Sequence, residues 1–131
     1  MRVKAIHRSQ PARRILVAYD GSPSARRALS RATGFHGVGS ALGLIHVRQD
    51  DEREDGHLEA ARQALASHGI DANVIAAAGS PAHAICVTAE RDGYDMIVVG
   101  RRNLRDAGLL LPGSVAARVV AGAACDVVVV A

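Results

Sequence analysis

Aromatic residues are nearly absent from this sequence. It contains no tryptophan, and its aromatic side chains are Tyr19, Phe35 and Tyr94. Proteins that hold unpaired nucleic-acid bases stack them on aromatic side chains, so this kind of binding is nearly excluded. The apolar share of 49% comes instead from alanine, valine, leucine and isoleucine. A chain of 131 residues with this composition is long enough for one domain that buries its own core.

Cysteine and long apolar runs are also scarce. Cys86 and Cys125 are far apart, and each lies in an apolar stretch, which predicts buried free thiols in a reducing compartment. The histidines show no H-x3-H or H-E-x2-H spacing, and we therefore expect no metal site. No apolar stretch approaches the roughly 18 residues that a membrane span needs, and no signal-peptide core follows the first arginines. We expect a soluble, cytoplasmic protein that binds no membrane.

Positive charge is concentrated at the start of the chain. The formal net charge is +3, but residues 1–14 hold five of the 16 lysines and arginines and no acidic residue. The rest of the chain has 11 basic and 13 acidic residues, a balance of −2. A short basic arm can hold phosphates without sequence preference, but a solvated leader is the simpler interpretation. We therefore predict a basic, disordered leader at residues 1–13 and expect no nucleic acid as a partner.

Short runs of β-branched residues alternate with longer segments of helical period. The predicted strands are residues 14–20, 41–47, 70–78, 95–99 and 127–130. A helix is predicted in each of the four intervals between them. Apolar strands with little alternation are typical of a parallel sheet that helices cover on both faces. The sequence therefore predicts one three-layer α/β domain at residues 14–131, with ligands beyond the carboxyl ends of the strands.

The pair Gly-Ser precedes a predicted helix at three places along the chain. At residues 21–23 and 79–81 proline follows the serine and removes one N–H donor from the first turn. At Gly113 and Ser114 the proline comes before the pair, so the donors of the first turn remain. A helix N-terminus attracts anions through its unpaired N–H groups and about half a positive charge. The third pair, together with Gly100 at the end of the fourth strand, is therefore the favoured phosphate site.

The sequence shows no machinery for fast catalysis. Gly108 and Gly113 have the spacing of the two P-loop glycines, but Ser114 follows directly where the lysine that carries charge to the phosphates belongs. The sequence has no G-x-S-x-G elbow of a hydrolase and no H-x-G-H pattern of a nucleotidyltransferase. We therefore predict that the protein is not an enzyme, while slow ATP hydrolysis or autophosphorylation at Ser114 stays open.

The loop after the fourth strand carries a family resemblance. Gly100-x2-Asn103-x9-Gly113-Ser114 resembles the G-x2-G-x9-G-(S/T) nucleotide signature of the universal stress protein family, with Asn103 in place of the middle glycine. Further matches follow in the family's order along the domain. They are ILVAYDGSPSARRAL, GLIHV, GSPAHAI and LLLPGSVAARVVAGAACDVVVVA. Residues 14–131 are therefore similar to that family over their whole length.

The resemblance implies a fold, a ligand and a set of binding residues. The fold is Rossmann-like, of the adenine nucleotide alpha hydrolase-like type, with a doubly wound sheet of five parallel strands in the order 3-2-1-4-5. The ligand is ATP or another adenine nucleotide at the ends of strands 1 and 4, in a stress-response regulator or signalling module. Whether Mg2+ accompanies the nucleotide stays open. The implied binding residues are Ala18, Asp20, Val47, Gly100, Arg102, Asn103, Gly113, Ser114 and Val115.

Two alternatives stay open. Asp20 either contacts the ligand or only caps the turn after the first strand. Asn103 needs room that glycine leaves to a ligand, so the chain could instead be a homodimeric interaction module that binds no nucleotide. A homodimer is expected in both cases, because residues 127–130 (VVVV) would form an edge strand whose unpaired backbone groups invite another chain. The resemblance implies dimerisation through the same strand.

Overall fold

Strands and helices alternate along the chain. The computed structural model of the protein describes residues 2–3, 13–37, 39–49, 56–101 and 114–131. Its strands are β1 (Arg2–Val3), β2 (Arg14–Ala18), β3 (Ala41–Arg48), β4 (Ala72–Ala78), β5 (Met96–Gly100) and β6 (Asp126–Val130). Its helices are α1 (Pro23–Thr33), α2 (His57–Ala66), α3 (Pro81–Arg91) and α4 (Val115–Gly122). All the predicted strands are present, with their ends shifted by one or two residues, and β1 is additional.

Five strands form a parallel sheet with helices on both faces. The order across the sheet is β1-β6-β5-β2-β3-β4, and β2 to β6 run parallel to one another. Counted along the chain without β1, this is the predicted order 3-2-1-4-5. After β2 the chain adds β3 and β4 on one side, and then crosses to the other side of β2 to form β5 and β6. The strand order therefore reverses between β2 and β5, which is where sheets of this kind bind ligands.

The short strand β1 changes the expectation for one edge of the sheet. It runs antiparallel to β6, with Arg2 opposite Val129 and Val3 opposite Val128. The prediction that residues 127–130 form an edge strand is therefore wrong, because a segment of the same chain pairs with the backbone groups that an edge leaves open. Arg2 and Val3 also differ from the disordered leader predicted at residues 1–13. The other leader residues up to position 12 lie outside the described residues.

Alternate strand residues supply two halves of the core. Val17 of β2 packs in one cluster with Ala28 of α1 and with buried residues of α2. Its neighbour Leu16 packs on the opposite face of the sheet with Ile85 of α3 and Val119 of α4. Each cluster draws apolar side chains from all five parallel strands. Because successive residues of a strand face opposite sides, burial of both faces explains why the strands are almost continuously apolar.

Serine side chains cap two of the helices but not a third. The Ala25 N–H donates a 3.2 Å hydrogen bond to Ser22 Oγ before α1, and the Ala117 N–H donates a 3.1 Å bond to Ser114 Oγ before α4. Ser80 has the same position before α3, but in the described structure its side chain accepts no capping bond. Its ψ of 120° differs from the 162° of Ser22 and the 157° of Ser114, so the capping geometry is not reached. The helix α3 therefore begins at Pro81 without a side-chain cap from the serine before it.

Candidate functional site

A cavity of about 610 Å³ opens at the carboxyl end of the sheet, where the strand order reverses. It lies between the ends of β2, β3 and β5 and the first turns of α1, α3 and α4. Small-molecule sites commonly measure roughly 300–1,000 Å³, so the cavity has the size of such a site. Its described lining residues are Ala18, Tyr19, Asp20, Ser22, Ser24, Ala25, Ile45, His46, Val47, Gln49, Pro81, Ile85, Val99, Gly100, Arg101, Ser114, Val115 and Ala116.

One wall of the cavity is apolar. Its side chains come from β3, β5, α3 and α4 and are at most 7% exposed: Ile45, Val47, Ile85, Val99 and Ala116. They all belong to the half of the core that packs against α3 and α4. The cavity is therefore a continuation of this core toward solvent. An apolar wall of this kind suits a flat, weakly polar ring better than a charged group.

The opposite part of the cavity faces the first turns of three helices. α1 contributes Ser22 and Ser24, α3 contributes Pro81, and α4 contributes Ser114 and Val115. The first N–H groups of a helix have no partner within the helix, and they carry about half a positive charge in sum. α1 and α3 begin with proline, which lacks this N–H, whereas α4 begins with valine. An anion is therefore best placed at the N-terminus of α4.

Arg101 and Asp20 bring opposite charges to the lining. The Ser22 N–H donates a 3.0 Å hydrogen bond to Asp20 Oδ1, so this carboxylate closes the turn that leads into α1. Asp20 also borders the cavity, so the two roles left open by the sequence are compatible in geometry. The backbone N–H of Arg101 donates to the Val130 carbonyl at 2.8 Å and holds the residue after β5 against β6. A basic residue therefore belongs to the lining that also includes the first turns of the helices.

Gly100 is the last residue of β5, and the backbone of α1 passes very close to it. A β-carbon at this position would lie 2.7 Å from the carbonyl carbon of Ser24 and would collide with the carbonyl oxygen of the same residue. These are backbone atoms of a buried residue in the first turn of α1, so they cannot move aside as a flexible side chain would. The sequence predicts Gly100 as a phosphate contact. The structure adds a packing requirement, because this glycine brings the N-terminus of α1 against β5.

Six of the nine predicted binding residues meet at this cavity. They are Ala18, Asp20, Val47, Gly100, Ser114 and Val115. Arg102, Asn103 and Gly113 lie outside the described residues. The predicted set of nine leaves out Arg101 and Gln49, which directly follow β5 and β3 and line the cavity. Their positions in the sequence could have indicated this role, because residues just after parallel strands collect at one edge of the sheet.

Two histidines meet beside the cavity. The His46 and His57 rings have centroids 4.6 Å apart and lie nearly perpendicular, and Tyr19 lies 6.0 Å from His57. His46 is 9% exposed and lines the cavity, so it lies at the rim of the core. No group of three or more histidine, cysteine, aspartate or glutamate side chains that could hold a metal ion occurs in the described ranges.

The two cysteines lie away from this cavity, where α3 and α4 meet. Cys86 and Cys125 are free thiols and are only partly buried, although the sequence predicts burial. Both pack against the half of the core below α3 and α4. Burial raises the pKa of the Cys125 thiol, and the negative charge of Asp126 raises it further. The thiolate of Cys125 is therefore disfavoured.

The architecture and the position of the cavity define a class of protein, the doubly wound α/β domains that bind a ligand at the strand reversal. Comparison with known sequences identifies the family within this class. The sequence profile described as the universal stress protein family matches residues 40–131. A curated universal stress protein of Thermus aquaticus, named for the 3′ region of a QAH/OAS sulfhydrylase gene, is 33% identical. This alignment covers 88% of the present chain and 96% of the relative.

Two further relatives belong to the same family. Universal stress protein YxiE of Bacillus subtilis strain 168 is 29% identical over 89% of this chain and 97% of its own length. A crystal structure of a universal stress protein from Archaeoglobus fulgidus superimposes with a TM-score of 0.78 at 30% identity, covering 89% of this chain and 44% of that one. The chain belongs to the universal stress protein family.

Two more distant structures share the fold. One is a universal stress protein in complex with cAMP, at 23% identity and a TM-score of 0.74, with 91% of this chain and 97% of that chain covered. The other is an AMP-bound family member from Arabidopsis thaliana, at 22% identity and a TM-score of 0.69, with 90% of each chain covered. Among the described residues of the present chain, no helix is long and apolar enough to cross a bilayer.

Proposed function

We propose that the protein binds ATP or a related adenine nucleotide in the cavity between β2, β3 and β5. The observation that carries the proposal is the division of this cavity into an apolar wall and a region of helix N-termini with Arg101 beside it. A nucleotide has the same division, because its base is flat and weakly polar and its phosphates are anionic. The family structures named for bound cAMP and AMP support a ligand of this class.

The bound nucleotide serves a regulatory or signalling role in the stress response, without fast turnover. Two observations support this role. The chain belongs to a family named for stress, and the cavity is lined by a helix N-terminus that suits an anion, whereas the sequence lacks a P-loop lysine. Phosphate release from ATP should stay slow and should not depend on the Ser114 hydroxyl. A rapid release that Ser114→Ala abolishes would contradict this part of the proposal.

The direct test is to identify what the purified protein carries. Protein purified without added nucleotide is denatured, and the released small molecules are separated by chromatography. We expect an adenine nucleotide, or else calorimetric binding of added ATP, measured with and without Mg2+. Neither release nor binding at millimolar ATP would refute the proposed function.

A second candidate is an interaction module that binds no nucleotide. The observation that favours it is Asn103, which occupies the place of the middle glycine of the signature. Asn103→Gly discriminates between the candidates. An inert wild type that gains ATP binding in this variant supports the interaction module, whereas tight binding by the wild type contradicts it.

The homodimer stays a prediction, but the strand through which it was expected is not an open edge of the sheet. In the structure, β1 pairs with Val128 and Val129 of β6, so a partner through this strand would have to replace or extend β1. Analytical ultracentrifugation at tens of micromolar protein measures the association state. A monomer at this concentration would contradict an obligate homodimer.

A further inference from the structure

β4 is an open edge of the sheet. β6 is covered by β1, whereas β4 pairs with β3 alone in the described part of the chain. Proteins commonly protect an open edge with charged side chains, proline or a bulge. The seven residues of β4 (ANVIAAA) contain no charge and no proline, and their register with β3 runs from Ala72 to Ala78 without a bulge. This edge is therefore suited to pairing with another strand.

The direction of the backbone groups of β4 follows from the register. The Tyr19 N–H donates a 2.8 Å hydrogen bond to the Ile45 carbonyl, so the backbone groups of Ile45 face β2. Those of the preceding residue, Leu44, face β4, because successive residues of a strand bond to opposite neighbours. In a parallel pair, a residue that bonds to the neighbouring strand lies opposite a residue whose own groups point away. Leu44 lies opposite Val74, so the N–H and C=O of Val74 point away from β3.

Four residues of β4 direct an N–H and a C=O out of the sheet, since this direction repeats at every second residue. They are Ala72, Val74, Ala76 and Ala78. Val74 also exposes an apolar side chain, of which 39% is accessible to solvent. Ala76 is exposed beside it on the same face of the strand. The edge thus combines backbone groups that no described strand binds with a small apolar surface.

We propose that β4 pairs with β4 of a second copy of this chain, antiparallel, about a two-fold axis at Ile75. Identical surfaces that meet about a two-fold axis contact each other reciprocally. In this register Val74 lies opposite Ala76 of the partner subunit, and Ala72 lies opposite Ala78 of the partner subunit. Opposite residues of an antiparallel pair exchange two hydrogen bonds when their backbone groups face each other. All four outward residues of each copy are thereby bonded.

The charges and side chains of β4 fit a second copy. A strand without charge has nothing that would select a charged peptide, and it meets its own copy without repulsion. The acidic residue directly before the strand, Asp71, would lie opposite Gly79 of the partner subunit and not opposite a second carboxylate. Val74 would pack against the alanine opposite it, so that its exposed apolar surface is buried. The partner that this edge fits is therefore the chain itself.

The experiment introduces charge at two opposing positions. One variant carries Val74→Lys together with Ala76→Lys, and a second carries Val74→Glu together with Ala76→Glu. Each variant places like charges directly opposite each other across the two-fold axis, which destabilises the pair, whereas a mixture of the two places opposite charges there. In analytical ultracentrifugation at tens of micromolar protein, the wild type should have twice the monomer mass of 13.6 kDa. Each variant alone should have the monomer mass, and their equimolar mixture should regain the doubled mass.

Val87→Lys is the matched control, because Val87 lies on α3 and its exposure of 41% is close to the 39% of Val74. This variant should sediment as the wild type does. Hydrogen exchange of the full chain gives a second measurement. The amide hydrogens of Val74 and Ala76 should exchange slowly in the dimer and fast in either monomeric variant.

Three sedimentation results would overturn the proposal: a monomeric wild type, a dimer that persists in the double lysine variant, or a mixture that stays monomeric. Slow exchange at Val74 and Ala76 in a monomer would overturn it as well, because another segment of the same chain would then cover β4. None of these outcomes depends on nucleotide binding, so each of them leaves the proposed function intact.

Discussion

Replacement of Gly100 by alanine tests the close contact between β5 and α1. The added β-carbon would lie 2.7 Å from the carbonyl carbon of Ser24, and the obstacle is backbone rather than a flexible side chain. Overpacking in a dense core costs typically 1–3 kcal/mol, and a backbone obstacle places this variant in the upper half, at about 2–3 kcal/mol. For a domain of this size, about 1 kcal/mol corresponds to roughly 3–5 °C in melting temperature. We therefore expect Gly100→Ala to melt roughly 10 °C lower.

The control is Gly122→Ala at the end of α4. A β-carbon there meets only the Cys86 sulfur at 3.5 Å, which is an ordinary contact. Alanine also favours a helix over glycine by up to about 1 kcal/mol, so this variant should be as stable as the wild type or more stable. The free energy of unfolding is measured by urea denaturation of both variants. Equal stability of Gly100→Ala and Gly122→Ala would refute the contact between β5 and α1.

Three further predictions concern the caps, the thiols and the cation of the cavity. Ser22→Ala removes an observed capping bond and should lower the free energy of unfolding by about 1 kcal/mol. Ser80→Ala should change this free energy little, because the Ser80 side chain accepts no capping bond in the described structure. Equal losses of the two variants in urea denaturation would contradict the assigned caps. Since the pKa of its thiol is raised, Cys125 should react with iodoacetamide more slowly at pH 8 than a free cysteine peptide does, and the reaction should become faster only at higher pH. Mass spectrometry of the modified peptide measures the rate. A reaction at pH 8 that is faster than that of the free peptide would contradict the raised pKa. Arg101→Ala should weaken ATP binding by roughly tenfold or more through loss of a charged contact, with little loss of stability. Unchanged ATP affinity in calorimetry would show that Arg101 makes no contact with the phosphates.

The sequence predicted the strands and the end of the sheet at which the cavity opens, because both depend on local pattern. Apolar runs mark the strands, and residues at the strand ends collect at one edge, which placed Asp20 and Gly100 together. The order of the strands came from the family resemblance. What the sequence could not provide depends on three-dimensional approach, such as the distance from Gly100 to the backbone of Ser24. The pairing of β1 with β6 was missed for the same reason, since two residues carry no periodic signal.

In the proposed function, backbone donors at the N-terminus of α4 hold the phosphates of an adenine nucleotide. Val115→Pro removes the first of these donors and copies the Ser-Pro order that begins α1 and α3. The helix should tolerate it, because proline is favoured at the first helical position and Ser114 already has a ψ of 157°, as a residue before proline requires. Val115→Ala keeps the donor and is the control.

The deciding measurement is the ATP affinity of these two variants by calorimetry. Val115→Pro should bind ATP roughly tenfold more weakly than Val115→Ala, which corresponds to the loss of one hydrogen bond to a charged group. Val115→Ala should bind as the wild type does. Equal affinities of the two variants, or no ATP binding by the wild type, would contradict the claim.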